Sequence, residues 1–494
     1  MADKLRDYQL AAVDGARAAV LEGESPCIAI PTGGGKTHVG VKIVTGACTQ
    51  NLPVLWMAHR EELIKQGAER LERFGIKPGI IMGGHKTRRN RQVQVASVQT
   101  LAKREKPPAT VIVLDEAHHV RASTYMDILD AYPEAFIVGL TATPVRLDGR
   151  GLGDVFDRLV VPISCAELVE RGFLMEPKYF APAQPDLQGV RTIGGDYSMG
   201  GASKVMMDAA LMGGVVEHYH TIAPGRKAVL FACNVKHSKA LVERFNAAKY
   251  RAEHIDGKTP RRKRAKILAA LRAGSLDIVS NVNVLTEGWD LPGLEVCVVA
   301  RPTASWSLHM QMIGRVMRVE EGKPQPVVID HAGNLIKHGF PTDEVVFDLS
   351  DSGRKKSEPT LIKVCPACLA VVSVTSKACE ECGHVFQKRE RGPLVVIDGK
   401  LKEVKAGKPT PEDKSRLMDR LLGVARGLGY KRKWATVQYK DKMGVLPRGA
   451  WYRPLIVEHF EACTHVKREG SGECRFCNDG HPMPPEWTKG AKQW

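Results

Sequence analysis

The chain contains no apolar run approaching the roughly 20 residues needed to span a bilayer. Its opening, MADKLRDYQL, lacks the apolar stretch of a secretory leader. No membrane partner is expected, and the protein is expected to be soluble and cytoplasmic. Internal sequence repeats are also missing, which argues against a solenoid. Acidic residues are in deficit, with 55 Asp and Glu against 72 Lys and Arg and a net charge of +17, so a polyanionic partner fits. The excess is concentrated in residues 351–494, which hold 28 basic and 17 acidic side chains. Cysteine is scarce before that point. Seven of the 12 fall in the tail, and six of those sit in CxxC pairs, which in a cytosolic chain are read as metal ligands before disulfides.

At 494 residues the chain is long enough for about three domains. Short β-rich runs alternate with helical stretches over its first part: CIAI (27–30), VLWMA (54–58), VQVAS (93–97), VIVL (111–114) and FIVGL (136–140). After a weakly patterned, Gly-rich stretch at 182–204 the rhythm resumes with AVLFA (228–232), DIVS (277–280), VCVVA (296–300) and PVVID (326–330). The pattern predicts two α/β units in series, each with a parallel sheet. The polar run DLSDSGRKKSEPT (348–360) marks a boundary.

CIAIPTGGGKTHVGVKIV (27–44) carries the clearest chemistry, since a strand runs into a glycine-rich turn and then a helix. Gly33, Gly34 and Gly35 let backbone N–H groups crowd round a phosphate. Lys36 would reach the β- and γ-phosphates of a nucleotide, and Thr37 would hold Mg²⁺. The strict GxxxxGK[ST] pattern fails at its first position, Ile30. VIVLDEAHH (111–119) adds two carboxylates at a strand end, where open α/β sheets place ligands. Asp115 would hold Mg²⁺ through water, and Glu116 would orient or deprotonate the attacking water.

With these stretches in place, residues 5–335 resemble the superfamily 2 helicases and translocases. LRDYQ (5–9) resembles the adenine-recognition segment, which implies that Gln9 binds the base edge. PTGGGKT (31–37) resembles motif I and brings Thr32 to the cofactor, DEAH (115–118) resembles motif II, and TATP (141–144) motif III. VLTEGWDLPG (284–293) resembles motif V, with Gly288 and Asp290 as nucleotide sensors, and QMIGRVMR (311–318) resembles motif VI. The resemblance makes Gln311 a further sensor and Arg315 and Arg318 arginine fingers, and their three-residue spacing puts both arginines on one helix face. AHREELIKQ (58–66) and ASVQTL (96–101) resemble motifs Ia and Ib, with Arg60 and Thr100 as backbone contacts to nucleic acid. LRDYQ, EGWDLPG and VIDHAGNLIKHG (328–339) are similar to the DNA-acting branch that includes repair-factor and restriction-enzyme motors, and the last is similar to phage proteins, which implies a bacterial or phage-infected host.

The implied fold class is α/β: two tandem RecA-like domains, followed by a small zinc ribbon and a mostly helical C-terminal region. The expected bounds are 1–160 for the ATP-binding domain, 161–214 for a connector, 215–347 for the second domain, 361–388 for the ribbon and 411–494 for the basic helical region.

In KVCPACLAVVSVTSKACEECGHVF (363–386), Cys365, Cys368, Cys379 and Cys382 form two CxxC knuckles, the ligand set of a closed structural Zn²⁺ site. Such a ribbon would contact DNA or dock a protein. A second cluster, Cys463, His465, Cys474 and Cys477, is less regular, and both a second zinc site and unpaired cysteines fit it. YKRKWATVQYKDKMG (430–444) suits either phosphate contact with base stacking or an ordinary amphipathic helical module. RRKR (261–264) and GHKTRRNR (84–91) read as solvated faces or as extensions of a nucleic-acid track.

The function expected is ATP-dependent movement along DNA or its unwinding, with ATP, Mg²⁺ and Zn²⁺ as cofactors and single-stranded, duplex or branched DNA as partner. Two other readings are a restriction-type duplex translocase that leaves the strands paired, for which the chain itself offers no nuclease constellation, and a nucleotide-gated DNA-binding adaptor.

Overall fold

The computed structural model describes residues 4–350 apart from 86, 87, 89, 121, 122, 147, 183 and 184, together with 354–356, 362–386 and short helical pieces between 417 and 439. It forms two compact units, Met1–Arg389 and Glu390–Trp494.

The first sheet of the larger unit is built from β1 (Pro26–Ala29), β2 (Val54–Ala58), β3 (Gly79–Ile81), β4 (Val93–Ser97), β5 (Val111–Asp115), β6 (Phe136–Thr141) and β7 (Arg158–Val160), in the spatial order β3-β4-β2-β5-β6-β1-β7. Every pairing in it is parallel. The central strands are buried on both faces, which explains their unbroken runs of Val, Ile and Leu. The second sheet uses β8 (Lys178–Phe180), then, beyond a small hairpin of β9 (Thr192–Ile193) and β10 (Asp196–Tyr197), β11 (Ala228–Ala232), β12 (Ala252–Ile255), β13 (Ile278–Asn281), β14 (Val296–Ala300) and β15 (Val327–Asp330). Its order is β12-β13-β11-β14-β15-β8, again all parallel.

The segment 161–214, read from sequence as a connector, supplies the edge strand β8 and the β9–β10 hairpin. It also pairs with the second half directly, through the N–H of Met175 on the Met317 carbonyl at 2.7 Å. Past β15, strand β16 (Val345–Phe347) pairs with β17 (Arg354–Lys356), and β18 (Ile362–Val364) pairs with β19 (Val371–Ser373) in the cysteine-bearing module. That module covers β8, which would otherwise be an open edge, through a Phe180–Ala370 bridge and a Lys178–Glu381 ion pair at 2.6 Å. Cys365, Ala370 and Cys379 share a buried cluster with Phe180 and Ile329.

In the smaller unit, Met418, Leu421, Ala425, Ala435 and Tyr439 form a small apolar cluster. The second Cys/His cluster, most of 430–444, and Lys86, Thr87 and Arg89 of the 84–91 run lie outside the described residues. Among the described residues no helix is long and apolar enough to cross a membrane.

Candidate functional site: an ATP site at the interface of two parallel sheets

In a parallel sheet every strand delivers its following loop to the same edge, so β1, β5 and β6 bring the phosphate loop, the DEAH segment and the TATP segment together. The phosphate loop ends in Gly35, which caps the helix Lys36–Thr49 from a left-handed conformation (φ 87°) that favours glycine. Thr37 sits in the first turn of that helix, beside its N–H groups. A Cβ on Gly34 would lie 2.5 Å from Ile30 and one on Gly35 2.4 Å from Gln9, so the loop is packed too tightly for any larger residue.

Lys36 reaches across to Glu116, with its Nζ 3.1 and 3.2 Å from the two carboxylate oxygens. Glu116 itself adopts φ 53° and ψ 57°, a conformation rarely held by a residue with a side chain, directly after β5. Burial, with the Glu116 carboxylate next to it, pushes the Asp115 carboxyl up to about 7. For Glu116 burial also pushes upward, but Lys36 and His118 outweigh it and hold the group below its ordinary value.

Gln9 lies against the loop rather than in open space. Its Nε2 donates to the Gly34 carbonyl at 3.1 Å, the Tyr8 hydroxyl donates to the same carbonyl at 2.8 Å, and the Arg6 N–H donates to its Oε1 at 3.0 Å.

The second sheet presents its half of the site across the cleft. A Cβ on Gly33 would lie 2.7 Å from Leu174 and 3.5 Å from Arg318 Cγ, and one on Gly314 would lie 2.8 Å from Thr32. The phosphate loop and the QMIGRVMR segment are therefore in contact. Arg318 pairs with Asp290. Arg315 is buried and donates to the carbonyls of Trp289 (2.6 Å) and Thr286 (2.5 Å), and burial pulls its guanidinium down to about 10. Both arginines are thus held by the segment that resembles motif V.

His118 joins the two halves. Its Nδ1 is 3.1 Å from Thr141 Oγ1, and its Nε2 is 3.3 Å from Gln311 Nε2. The Thr143 and Ser307 hydroxyls also share a hydrogen bond across the cleft.

The expected nucleic-acid contacts lie at the same sheet edge. Arg60 precedes the helix Glu61–Arg73 after β2, and Thr100 lies in the short helix Val98–Leu101 after β4. Gln99 Nε2 donates to the His59 carbonyl at 3.0 Å and ties the two loops together. Arg60 crosses to the second half, donating to the carbonyls of Asn283 (3.1 Å) and Val284 (3.3 Å). Gly288 is reached from the first half by Gln66, which donates to its carbonyl at 2.9 Å.

Two sets of cross-cleft contacts were not expected from the sequence. Arg261 and Arg264, from the RRKR run, pair across the cleft with Glu61 and Glu62, the latter at 2.9 Å. Glu287, within the segment that resembles motif V, is buried against His59, Arg60, His118 and His119. Burial would raise its carboxyl, but hydrogen bonds from those histidines hold it well below its ordinary value.

In the cysteine module the sulfurs of Cys365 and Cys382 are 3.7 Å apart and those of Cys368 and Cys379 3.6 Å. These distances fit the edges of a tetrahedron that an ion at about 2.3 Å would require, and are far too long for disulfides. All four sulfurs lie within 4.8 Å of one another.

Comparison with known proteins agrees with this geometry. Residues 2–146 match the family model for the type III restriction enzyme, res subunit, and residues 212–320 match the helicase conserved C-terminal domain. The chain is 29% identical over 422 residues to a 51.5 kDa protein of a Lactococcus phage, covering 84% of this chain and 88% of that one. It is 25% identical over 360 residues to the DNA 3'-5' translocase XPB2 of Sulfurisphaera tokodaii, covering 64% and 79%. In fold it is similar to a fragment described as an HsdR subunit of a type I restriction enzyme from Vibrio vulnificus, with a TM-score of 0.55, 22% identity and coverage of 71% and 70%. With both helicase family models matched in order and the expected nucleotide-binding segments assembled between two parallel sheets, the chain is a superfamily 2 helicase related to repair and restriction motors.

Proposed function

We propose that the protein is an ATP-driven DNA motor that moves along DNA or unwinds it by closing and opening the cleft between its two sheets. The observation that carries this reading is the contact of the phosphate loop with the arginine-bearing segment, Gly33 with Arg318 and Thr32 with Gly314. A nucleotide there would be enclosed by both halves, so its hydrolysis would change their separation.

Thr32 to Thr37 and the flanking helix terminus would bind the phosphates. Thr37 and Asp115 would hold Mg²⁺, which supplies charge neutralisation of the phosphates when bound. That cation would also lower the carboxyl of Asp115 from its raised value. Lys36 would exchange Glu116 for the γ-phosphate and leave that carboxylate free to take the proton of the attacking water. Arg318 and Arg315 would turn from Asp290 and the carbonyls of Trp289 and Thr286 toward the transferring phosphoryl group. Gly288, Asp290 and Gln311 lie on the route by which the second sheet would register the nucleotide. Gln9 would keep the adenine end in register through its bond to Gly34.

Arg60 and Thr100 would contact the DNA backbone, a mode that is salt-dependent and indifferent to sequence. The net charge of +17 favours this partner. The four-cysteine module would hold a structural Zn²⁺, for which the sulfur spacing is the support, and would serve DNA engagement or protein docking. The match to a restriction subunit fits a second reading, a duplex translocase that leaves the strands paired, without favouring it over the first.

The test is ATP hydrolysis with no nucleic acid, single-stranded DNA, duplex DNA, forked DNA and matched RNA, at two salt concentrations. Stimulation by DNA that fades with salt supports the motor, and the best substrate separates unwinding from duplex translocation. Hydrolysis indifferent to every nucleic acid refutes it.

A further inference from the structure

Glu287 lies on the second half of the motor, but the side-chain partners described for it all belong to the first. Its Oε2 is 2.9 Å from His59 Nε2 and 3.3 Å from Arg60 Nε. Its Oε1 is 3.2 Å from His119 Nε2 and 3.5 Å from His118 Nε2. The His59 and His119 rings, and the His118 and His119 rings, approach to 4.2 Å between centroids. The residue is 5% exposed, and a carboxylate so buried is costly unless paired, so its position is tolerable only while the cleft is closed over it.

One carboxylate oxygen faces the expected nucleic-acid contact and the other faces the hydrolytic loop. His118, on the second arm, is 3.5 Å from Glu116 Oε2. A chain of direct contacts therefore runs from Arg60 through Glu287 and His118 to Glu116. His59, His119 and Glu287 also have the spacing of metal ligands, but the Arg60 guanidinium already supplies positive charge to the same oxygen and would oppose a cation there.

Resting on the DNA-motor reading, we propose that Glu287 is a positioning residue that couples DNA at Arg60 to the orientation of Glu116. A phosphate offers an arginine a bidentate charged partner in place of two backbone carbonyls and one oxygen of a carboxylate already shared with His59. DNA would draw Arg60 away from Asn283, Val284 and Glu287. The released carboxylate would then settle on the histidines, and His118 would pass the change to Glu116.

The test is steady-state ATP hydrolysis by the full chain and by Glu287→Gln, which keeps the size and removes the charge, with and without saturating single-stranded and duplex DNA. The ratio of kcat with DNA to kcat without it should fall roughly tenfold or more, within the ordinary range of coupling energies. The KM for ATP should stay within about twofold, because no contact to nucleotide is removed. His119→Gln, which alters a partly exposed partner, should move the ratio the same way. The double variant should be no worse than the more affected single one, because both act on one path. A purely structural role would lower turnover with and without DNA alike and leave the ratio intact; that outcome, in either variant, overturns the proposal. A parent stimulated by DNA alongside an equally stimulated Glu287→Gln refutes this inference alone, whereas a parent indifferent to nucleic acid refutes the motor reading and this inference with it.

Discussion

Gln311 Nε2 lies 3.3 Å from Nε2 of His118, so an amide from the second sheet meets a ring nitrogen from the first whose Nδ1 lies 3.5 Å from the Glu116 carboxylate. Both residues are buried, and burial holds His118 below its ordinary value. Replacing Gln311 by Ala leaves the His118 Nε2 without this partner at a cost of about 1–3 kcal/mol. The DNA-stimulated kcat should fall by roughly ten- to a hundredfold while nucleotide affinity changes little, measured by steady-state hydrolysis beside a fluorescent-nucleotide titration. An unchanged kcat would mean that the contact does not persist during turnover.

Lys36 and Glu116 are paired at 3.1 Å, yet their substitutions should separate. Lys36→Ala would remove a proposed phosphate ligand, so both turnover and ATP affinity should be lost. Glu116→Gln would remove only the proposed proton acceptor, so turnover should be lost while ATP still binds. Equal loss of nucleotide affinity in the two variants would remove Glu116 from its assigned role.

Arg315 and Arg318 should differ in stability rather than in rate. Either one changed to Ala should slow hydrolysis on the order of 10³-fold if both act as fingers. Arg315, however, is buried with two hydrogen bonds to carbonyls, whereas Arg318 pairs with the exposed Asp290. Arg315→Ala should therefore cost about 1–3 kcal/mol of fold stability and Arg318→Ala little, as read from thermal melts. Equal melting temperatures would contradict the burial argument.

Much of this arrangement is legible in the chain, for physical reasons. Central strands such as VLWMA and VCVVA are buried on both faces and so read as continuous apolar runs, while the glycine loop and the DEAH carboxylates have few alternative uses at a strand end. The edge strands β3 and β12 are not legible: AEHI at 252–255 is buried only at its two ends, Ala252 and Ile255, and carries two polar residues between them. RRKR gave no hint of its role because its partners, Glu61 and Glu62, lie 200 residues away on the opposite side of the cleft. Glu287 was hidden for the same reason. Its signal is the triple of His59, His118 and His119, which only the fold brings together.

Cys365 is both an expected metal ligand and part of the buried cluster around β8. Cys365→Ser should release one equivalent of zinc, read with a chromophoric chelator, because three remaining thiolates bind far more weakly than four. The module should then loosen from Phe180 and Lys178, and DNA affinity should drop if the ribbon engages DNA. Unchanged zinc content would rule out Cys365 as a ligand. Lost zinc with full DNA affinity would make the module a protein-docking element.

Gly151 and Gly153 of the first half accept the segment that follows the second. Their N–H groups donate to the carbonyls of Ser350 (3.0 Å) and Leu349 (2.7 Å), and a Cβ on Gly151 would lie 2.1 Å from the Ser350 oxygen. Leu349 packs on the first half's core cluster, and Phe347 packs with Val145, Trp306 and Met310, so the strap touches both halves beside the TATP segment. Gly151→Ala has no room for its methyl against backbone atoms, and the strap must lift. Limited proteolysis should then cut near residue 350 faster than in the parent, with the ATP site's affinity for nucleotide retained, because backbone released from packing and hydrogen bonds is what proteases attack. Identical cleavage in the two proteins would show that the strap is not held by Gly151.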